Sequence, residues 1–222
     1  MYRKVLTVLS DKDSLKKKSV LFPKKDLWTE DHFSALKDLL DTFSVKQGLG
    51  LAAPQIGILK RAVVVNPKKL GLDDEKEVLV LINPVVETSG PTVRSPEACF
   101  SIPGVQGIVE RQQVCSVSYI DESGDSQEIA AEGYAAVCLQ HEIDHLDGVL
   151  YIDRMGQLSR KMLLKKVEKS EKKRIAAAKL AKEAFERDHR SLEGGASSKK
   201  TSHSKKRKPK VRKKRVKKSK KR

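Results

Sequence analysis

The sequence is poor in aromatic residues, which make up 5% of its 222 positions and include one Trp. It has only three cysteines, an odd number without paired spacing, which excludes a disulfide framework and points to a reducing compartment. No apolar run approaches the ~20 residues that a membrane-spanning helix needs. The first residues hold no signal-peptide core, so cytoplasmic residence is the expectation. Acidic residues are missing from 199–222, a stretch that carries 16 of the 46 Lys and Arg. The remaining 30 basic residues face all 29 acidic ones, so the net charge of +17 resides almost wholly in this tail. The body is close to neutral.

What is present is concentrated at Gln140-His141-Glu142-Ile143-Asp144-His145, an H-E-x-x-H in a segment with helical character. Positions i and i+4 of a helix lie on one face. His141 and His145 can therefore offer two imidazoles to one metal ion, with Glu142 beside them as a general base. This is the core of a hydrolase that splits amides with metal-activated water. A catalytic site needs a third ligand. The metzincin extension places it at position 151, and Gly148 suits that pattern, but position 151 is Tyr151. A downstream glutamate, Glu168 or Glu171, lies among lysines and reads as a solvated face. Upstream, Glu97-Ala98-Cys99-Phe100-Ser101 sets a cysteine just before a Pro-Gly turn, and a thiolate with two neutral imidazoles leaves one position open. Gly48-Leu49-Gly50-Leu51-Ala52-Ala53-Pro54-Gln55 adds small residues that let a backbone approach a ligand, and a side-chain amide donor.

GLGLAAPQ, EACFS and QHEIDH, in this order, resemble peptide deformylase over roughly residues 1–155. The resemblance implies that Cys99, His141 and His145 hold one divalent metal, ferrous iron natively, with zinc, nickel or cobalt able to occupy the site. It implies removal of the formyl group from the initiator formylmethionine of nascent chains, with release of formate. Glu142 would act as general base, and Gln55 and the Phe100 backbone N–H would stabilise the oxyanion. Gly50 would set its backbone against the substrate. Leu49, Tyr134, Val137 and Cys138 match the pocket for the methionine side chain, and Glu97 with Arg111 matches an ion pair bracing the ligand loop. One departure is Ala98 where the family has Gly. If that position requires φ > 0, Ala98 is strained by about 1 kcal/mol. Two other readings compete: a zinc endopeptidase with a different third ligand, and a catalytically impaired deformylase homologue acting as a ribosome- or RNA-binding factor.

The expected fold class is α+β: mainly antiparallel sheet packed around a central metal-binding helix, with a C-terminal helix and a disordered basic tail. Residues 1–156 would form the catalytic domain, 157–193 a charged helix, and 194–222 a flexible linker and lysine/arginine-rich tail. Periodicity predicts a helix over 31–46 with Phe33, Leu36, Leu39, Leu40 and Phe43 on its buried stripe, and a second over 133–146. Separate strands are predicted at 62–66, 78–83, 85–88, 92–100, 105–111, 114–120 and 127–131. Leu158, Met162, Leu163 and Leu164 are expected to anchor the C-terminal helix. The tail's charge suits a polyphosphate backbone and its lack of aromatics does not point to base stacking; with the resemblance implying a C-terminal segment near the ribosome exit, ribosomal RNA is the expected partner of a monomeric enzyme.

Overall fold

The computed structural model describes residues 1–72 and 76–194, with side chains described through residue 186. The basic tail lies outside these residues. Among the described residues, five α-helices, α1 (Lys12–Leu15), α2 (Glu30–Lys46), α3 (Pro67–Leu70), α4 (Gly133–Leu146) and α5 (Gln157–Gly194), accompany one antiparallel sheet. Its strands β1 (Gly50–Ala52), β2 (Ala62–Val65), β3 (Leu79–Cys99), β4 (Ile102–Ile120) and β5 (Ser126–Glu132) lie side by side in chain order. The α+β class is as expected, but the separate strands predicted over 78–100 merge into β3 and those over 105–120 into β4.

The merging has a local cause. Pro84 and Gly90-Pro91 lack ladder donors or favour turns, so the sequence reads as broken there. Instead, β3 absorbs them as register shifts between Ile82 and Val85 and between Ser89 and Thr92. At the first shift Asn83 takes a left-handed conformation (φ 52°), and its side chain stands in for backbone. The amide accepts from the Phe22 N–H at 2.8 Å and donates to the Phe22 carbonyl at 2.9 Å. The strand therefore bends without ending.

Strand alternation feeds two cores. Val63, Val65, Leu79 and Leu81 point toward α4, where they meet Ala135, Leu139, Ile143 and Leu146. Ala62, Val64, Val80 and Ile82 point the other way, onto Leu36, Leu39 and Phe43 of α2. Full burial of such side chains is worth about 1.5–3 kcal/mol each. The sheet is thus clamped between helices, which fixes where α4 sits. Thr29 caps α2, its N–H donating to His32 Nδ1 at 3.0 Å. Phe33, expected on the buried stripe, is half exposed and packs edge-on against Trp28 instead.

A third cluster joins Ile102 and Val109 of β4 to Tyr151, Ile152, Leu163 and Val167. Of the four expected anchors of α5, Leu163 is buried and Leu164 partly so, whereas Leu158 and Met162 are exposed. The helix turns a 163/167 stripe inward, one step from the expected face. Residues Met1–Arg174 form one compact unit, and a second begins at Ile175.

Gly148 shows how tightly the unit closes. It has φ 70°, and an added Cβ would lie 2.3 Å from the Lys16 carbonyl oxygen. Gly148→Ala is expected to destabilise by about 3 kcal/mol, from left-handed strain and a backbone clash together. Gly156 has open space around it, so Gly156→Ala should stay within about 0.5 kcal/mol. Urea unfolding of both variants checks the contrast, and equal effects would contradict it.

Candidate metal centre

Helix α4 carries His141 and His145 one turn apart, their ring centroids 5.0 Å from each other and their planes at 82°. Cys99 ends β3 just before the two-residue turn into β4, and its Sγ lies 3.3 Å from His145 Nε2. One donor atom from each of Cys99, His141 and His145 lies within 4.8 Å of the others. Glu168 is exposed and Glu171 pairs with Arg174 at 2.6 Å, so neither belongs to the group. Tyr151 is no ligand either: its buried ring stacks on His141 with centroids 6.0 Å apart.

An inner chain of charges holds His141. Its Nδ1 lies 2.6 Å from Glu97 Oε2, so Nδ1–H donates to the carboxylate and the Nε2 lone pair is left for an ion. Arg111 donates to Glu97 through Nε (2.7 Å) and Nη2 (3.0 Å), and through Nη1 to Asp144 (2.5 Å). Arg154 closes the chain with two 2.6 Å bonds to Asp144. Burial favours neutral His141, but hydrogen bonds to Cys99 and Glu97 outweigh it and raise its pKa well above the usual value. Burial, helped by the charges of His141, Arg111 and Lys16, pushes His145 well below it. The centre therefore gathers positive charge on one imidazole, which a cation would replace.

Gln55 is fixed from both ends. The Ala52 N–H donates to its Oε1 at 2.8 Å, and its Nε2 donates to Cys99 Sγ at 3.3 Å and Ser101 Oγ at 3.2 Å. The N-terminal segment ties the two loops: Leu6 N–H donates to the Gln55 carbonyl and Val8 N–H to that of Ser101. Glycine is demanded at 50, where a Cβ would lie 2.6 Å from Glu142 Cγ. Strand β1 thus lies directly over Glu142. Burial drives the Glu142 carboxyl up to about 7, with Glu97 adding to the rise and His141 opposing it. Its Oε2 is buried and has no hydrogen-bond partner among the described residues.

These groups open on a cavity of about 460 Å³. Leu49, Gly50, Gln55, Glu97, Cys99, Phe100, Tyr134, Val137, Cys138, His141 and Glu142 line it, so nearly every residue singled out from the sequence faces one space. Cys138 serves also as core, packing in the cluster under the sheet. Arg111 and His145 stand behind the wall. Ala98 is exposed at the cavity, and among the described residues positive φ occurs outside glycine only at Gln47 and Asn83. The expected strain at Ala98 does not arise. Sequence reasoning missed Lys46, Ser101, Tyr151 and Arg154, and read Asp144 only as part of a motif.

One thiolate and two imidazoles, with an orphaned buried carboxylate oxygen beside them, suit a borderline transition-metal ion with an open position. Residues 4–161 match the polypeptide deformylase family. A peptide deformylase of Rhizobium meliloti (strain 1021) is 46% identical over 64% of this chain and 80% of its own length. A Legionella pneumophila peptide deformylase structure superposes with TM-score 0.69 at 36% identity, covering 80% of this chain and 98% of that one. A Met-Ala-Ser-bound class I type b peptide deformylase of Acinetobacter baumannii gives TM-score 0.60 at 29% identity over 70% and 99% of the two chains.

The buried Glu142 carboxyl makes a stability prediction for the metal-free protein. Its folded pKa of about 7 lies above the ordinary 4.5, so the native state holds the proton more tightly than the unfolded chain does. The destabilisation is absent below about pH 4.5, grows between about 4.5 and 7, and is complete above that. Glu142→Gln should therefore be more stable than the parent near pH 8, by about 3 kcal/mol at most, and gain little near pH 5. Urea unfolding in the presence of chelator measures this, and a pH-independent difference would contradict it.

Proposed function

The chain belongs to the polypeptide deformylase family, metallohydrolases built around a single catalytic metal, and we propose that it removes the N-formyl group from N-formylmethionyl nascent peptides. The observation that carries this reading is the Cys99, His141 and His145 donor group set beside a cavity that Glu142 and Gln55 also line. The Met-Ala-Ser peptide bound by the Acinetobacter relative supports a peptide beginning with methionine as the occupant. A divalent ion held by Cys99, His141 and His145 would supply Lewis acidity that brings the pKa of water toward ~7. We assign ferrous iron in the cell; the same donor set accepts zinc, nickel or cobalt.

The chain's own groups do the rest. Glu142 Oε2, buried and unpartnered, takes the proton of the attacking water and passes it to the leaving amine. A carboxyl poised near neutrality suits both halves of that task. Gln55 Nε2 and the Phe100 N–H donate to the oxygen that gains charge as the formyl carbon becomes tetrahedral. Leu49, Tyr134, Val137 and Cys138 enclose the methionine side chain, and Gly50 lets the substrate backbone approach β1. Glu97 and Arg111 act at one remove by fixing the tautomer of His141. Cytoplasmic residence is part of the same proposal. The lysine/arginine-rich segment 199–222 would bind ribosomal RNA, bringing the enzyme to its substrates.

Formate release from formyl-Met-Ala-Ser by the iron- or nickel-loaded protein tests the assignment. Glu142→Ala should lower kcat at least about 10²-fold, and Gln55→Ala about 10²–10³-fold. Cys99→Ser should lose metal, read by elemental analysis. A folded, metal-loaded protein without turnover would sink the reading and favour a binding factor. Deleting 195–222 should spare turnover on short peptides and flatten the salt dependence of ribosome binding; unchanged ribosome affinity would refute the tail's role.

A further inference from the structure

One ionisable group in the cavity is not used by this chemistry. Lys46 is the last residue of α2, and Gln47 behind it is left-handed (φ 53°), its N–H bonded to the Phe43 carbonyl at 2.9 Å. That cap turns the chain toward Gly48 and leaves Lys46 in the cavity wall. Its Nζ lies 5.9 Å from the centre of the Phe100 ring and 6.0 Å from that of Tyr2. The Phe100 ring is in turn seated on Gly48, where a Cβ would lie 2.6 Å from the ring edge. Glycine at 48 and an aromatic at 100 thus hold an ammonium in the cavity wall. Tyr134, Val137 and Cys138 line the α4 side.

No carboxylate neutralises that ammonium among the described residues; its partners are the two rings. The cavity's two carboxylates are committed elsewhere. Glu97 is bound by Arg111 and His141, and Glu142 is buried behind Gly50. Pro96, Pro103 and Val105 make the neighbouring wall apolar, which strengthens a local field. A formyl amide and a thioether carry no charge, so formylmethionine itself gives Lys46 nothing to pair with. Any charge it recognises belongs to the residues that follow methionine.

Resting on the deformylase reading, we propose that Lys46 is a specificity-determining residue that favours nascent chains with Asp or Glu at the first or second position after methionine. Lys or Arg at the same positions is repelled. The interaction is a partly exposed ion pair, so it biases selection among substrates and does not gate the reaction.

The test uses the metal-loaded full chain and C-terminally amidated peptides, formyl-Met-Asp-Ser against formyl-Met-Lys-Ser, with the pair formyl-Met-Ala-Asp and formyl-Met-Ala-Lys for the second position. In at least one pair the acidic peptide should be favoured about fivefold in kcat/KM. The difference should sit in KM and shrink toward unity at about 0.5 M salt. Lys46→Gln should flatten the preference and Lys46→Glu should invert it. A merely structural Lys46, stacked on Phe100, would move both peptides of a pair together and leave their ratio alone. Equal kcat/KM within both pairs for the parent, or a ratio preserved in Lys46→Glu, overturns the proposal. Absence of formate release from every peptide would overturn the deformylase reading instead. Calorimetric binding of Met-Asp-Ser and Met-Lys-Ser amides would then still decide the charge preference, with equal affinities counting against it.

Discussion

The centre depends on one buried cation. Arg111 reaches from β4 to Glu97 on β3 and to Asp144 on α4, and its side chain is 1% exposed. A guanidinium there is tolerable only because two carboxylates take up its donors in planar, charge-assisted bonds. Losing one partner of such a pair typically costs about 3–5 kcal/mol, since the other charge is left buried and unpaired. The same contacts lock sheet to helix and orient Glu97 toward His141 Nδ1. Packing alone sets α4 to within a side chain's play. Arg111 sets it to within a hydrogen bond, the tolerance a metal ligand requires.

Close approach on the opposite side has the complementary effect. Gly50 lets β1 pass over Glu142 at a distance no larger residue permits, and the resulting dehydration raises the carboxyl toward neutrality. Glu97 and Glu142 sit in the same cavity but meet different fates. Arg111 and His141 hold the first below its ordinary value despite burial, while burial without a hydrogen-bond partner lifts the second. Two carboxylates pushed apart in this way are suited to different tasks, one fixed as an anion and one able to exchange a proton. The instability that Glu142 introduces is what its chemistry requires.

How much of this could be read from the chain follows the range of the interactions. The His141/His145 spacing and the α4 limits are properties of one helix and were legible as such. Cys99, 42 residues upstream of His141, could be offered as a third ligand for its chemistry, but only resemblance tied it to the helix, because nothing local joins a hairpin end to a helix. Asp144 and Arg154 were illegible as partners, since Asp144 meets Arg111 across sheet and helix and meets Arg154 only once the chain has turned past α4. Pro84 and Gly90-Pro91 looked like strand ends because a single sequence does not reveal a bulge. Phe33, Leu158 and Met162 satisfied helical periodicity, yet each faces out, because the period fixes a stripe's spacing and not which edge of it meets the core. The Ala98 substitution looked strained only while its backbone was unknown.

The separation of charge along the chain gives these pieces a common logic. With the tail set aside, the body is near neutral, so charge in the cavity is a matter of individual groups such as Lys46. Screening at physiological ionic strength confines exposed charges to about 8 Å, so a net charge matters less than the individual groups near a site. The two proposed uses of positive charge draw on different residues. Sixteen basic residues would govern where the enzyme resides, through a steep and sequence-blind salt dependence, while one lysine grades the substrates it meets there. Had the same charge been spread over the body, affinity for RNA and preference among peptides would have been coupled, and neither could be tuned without the other.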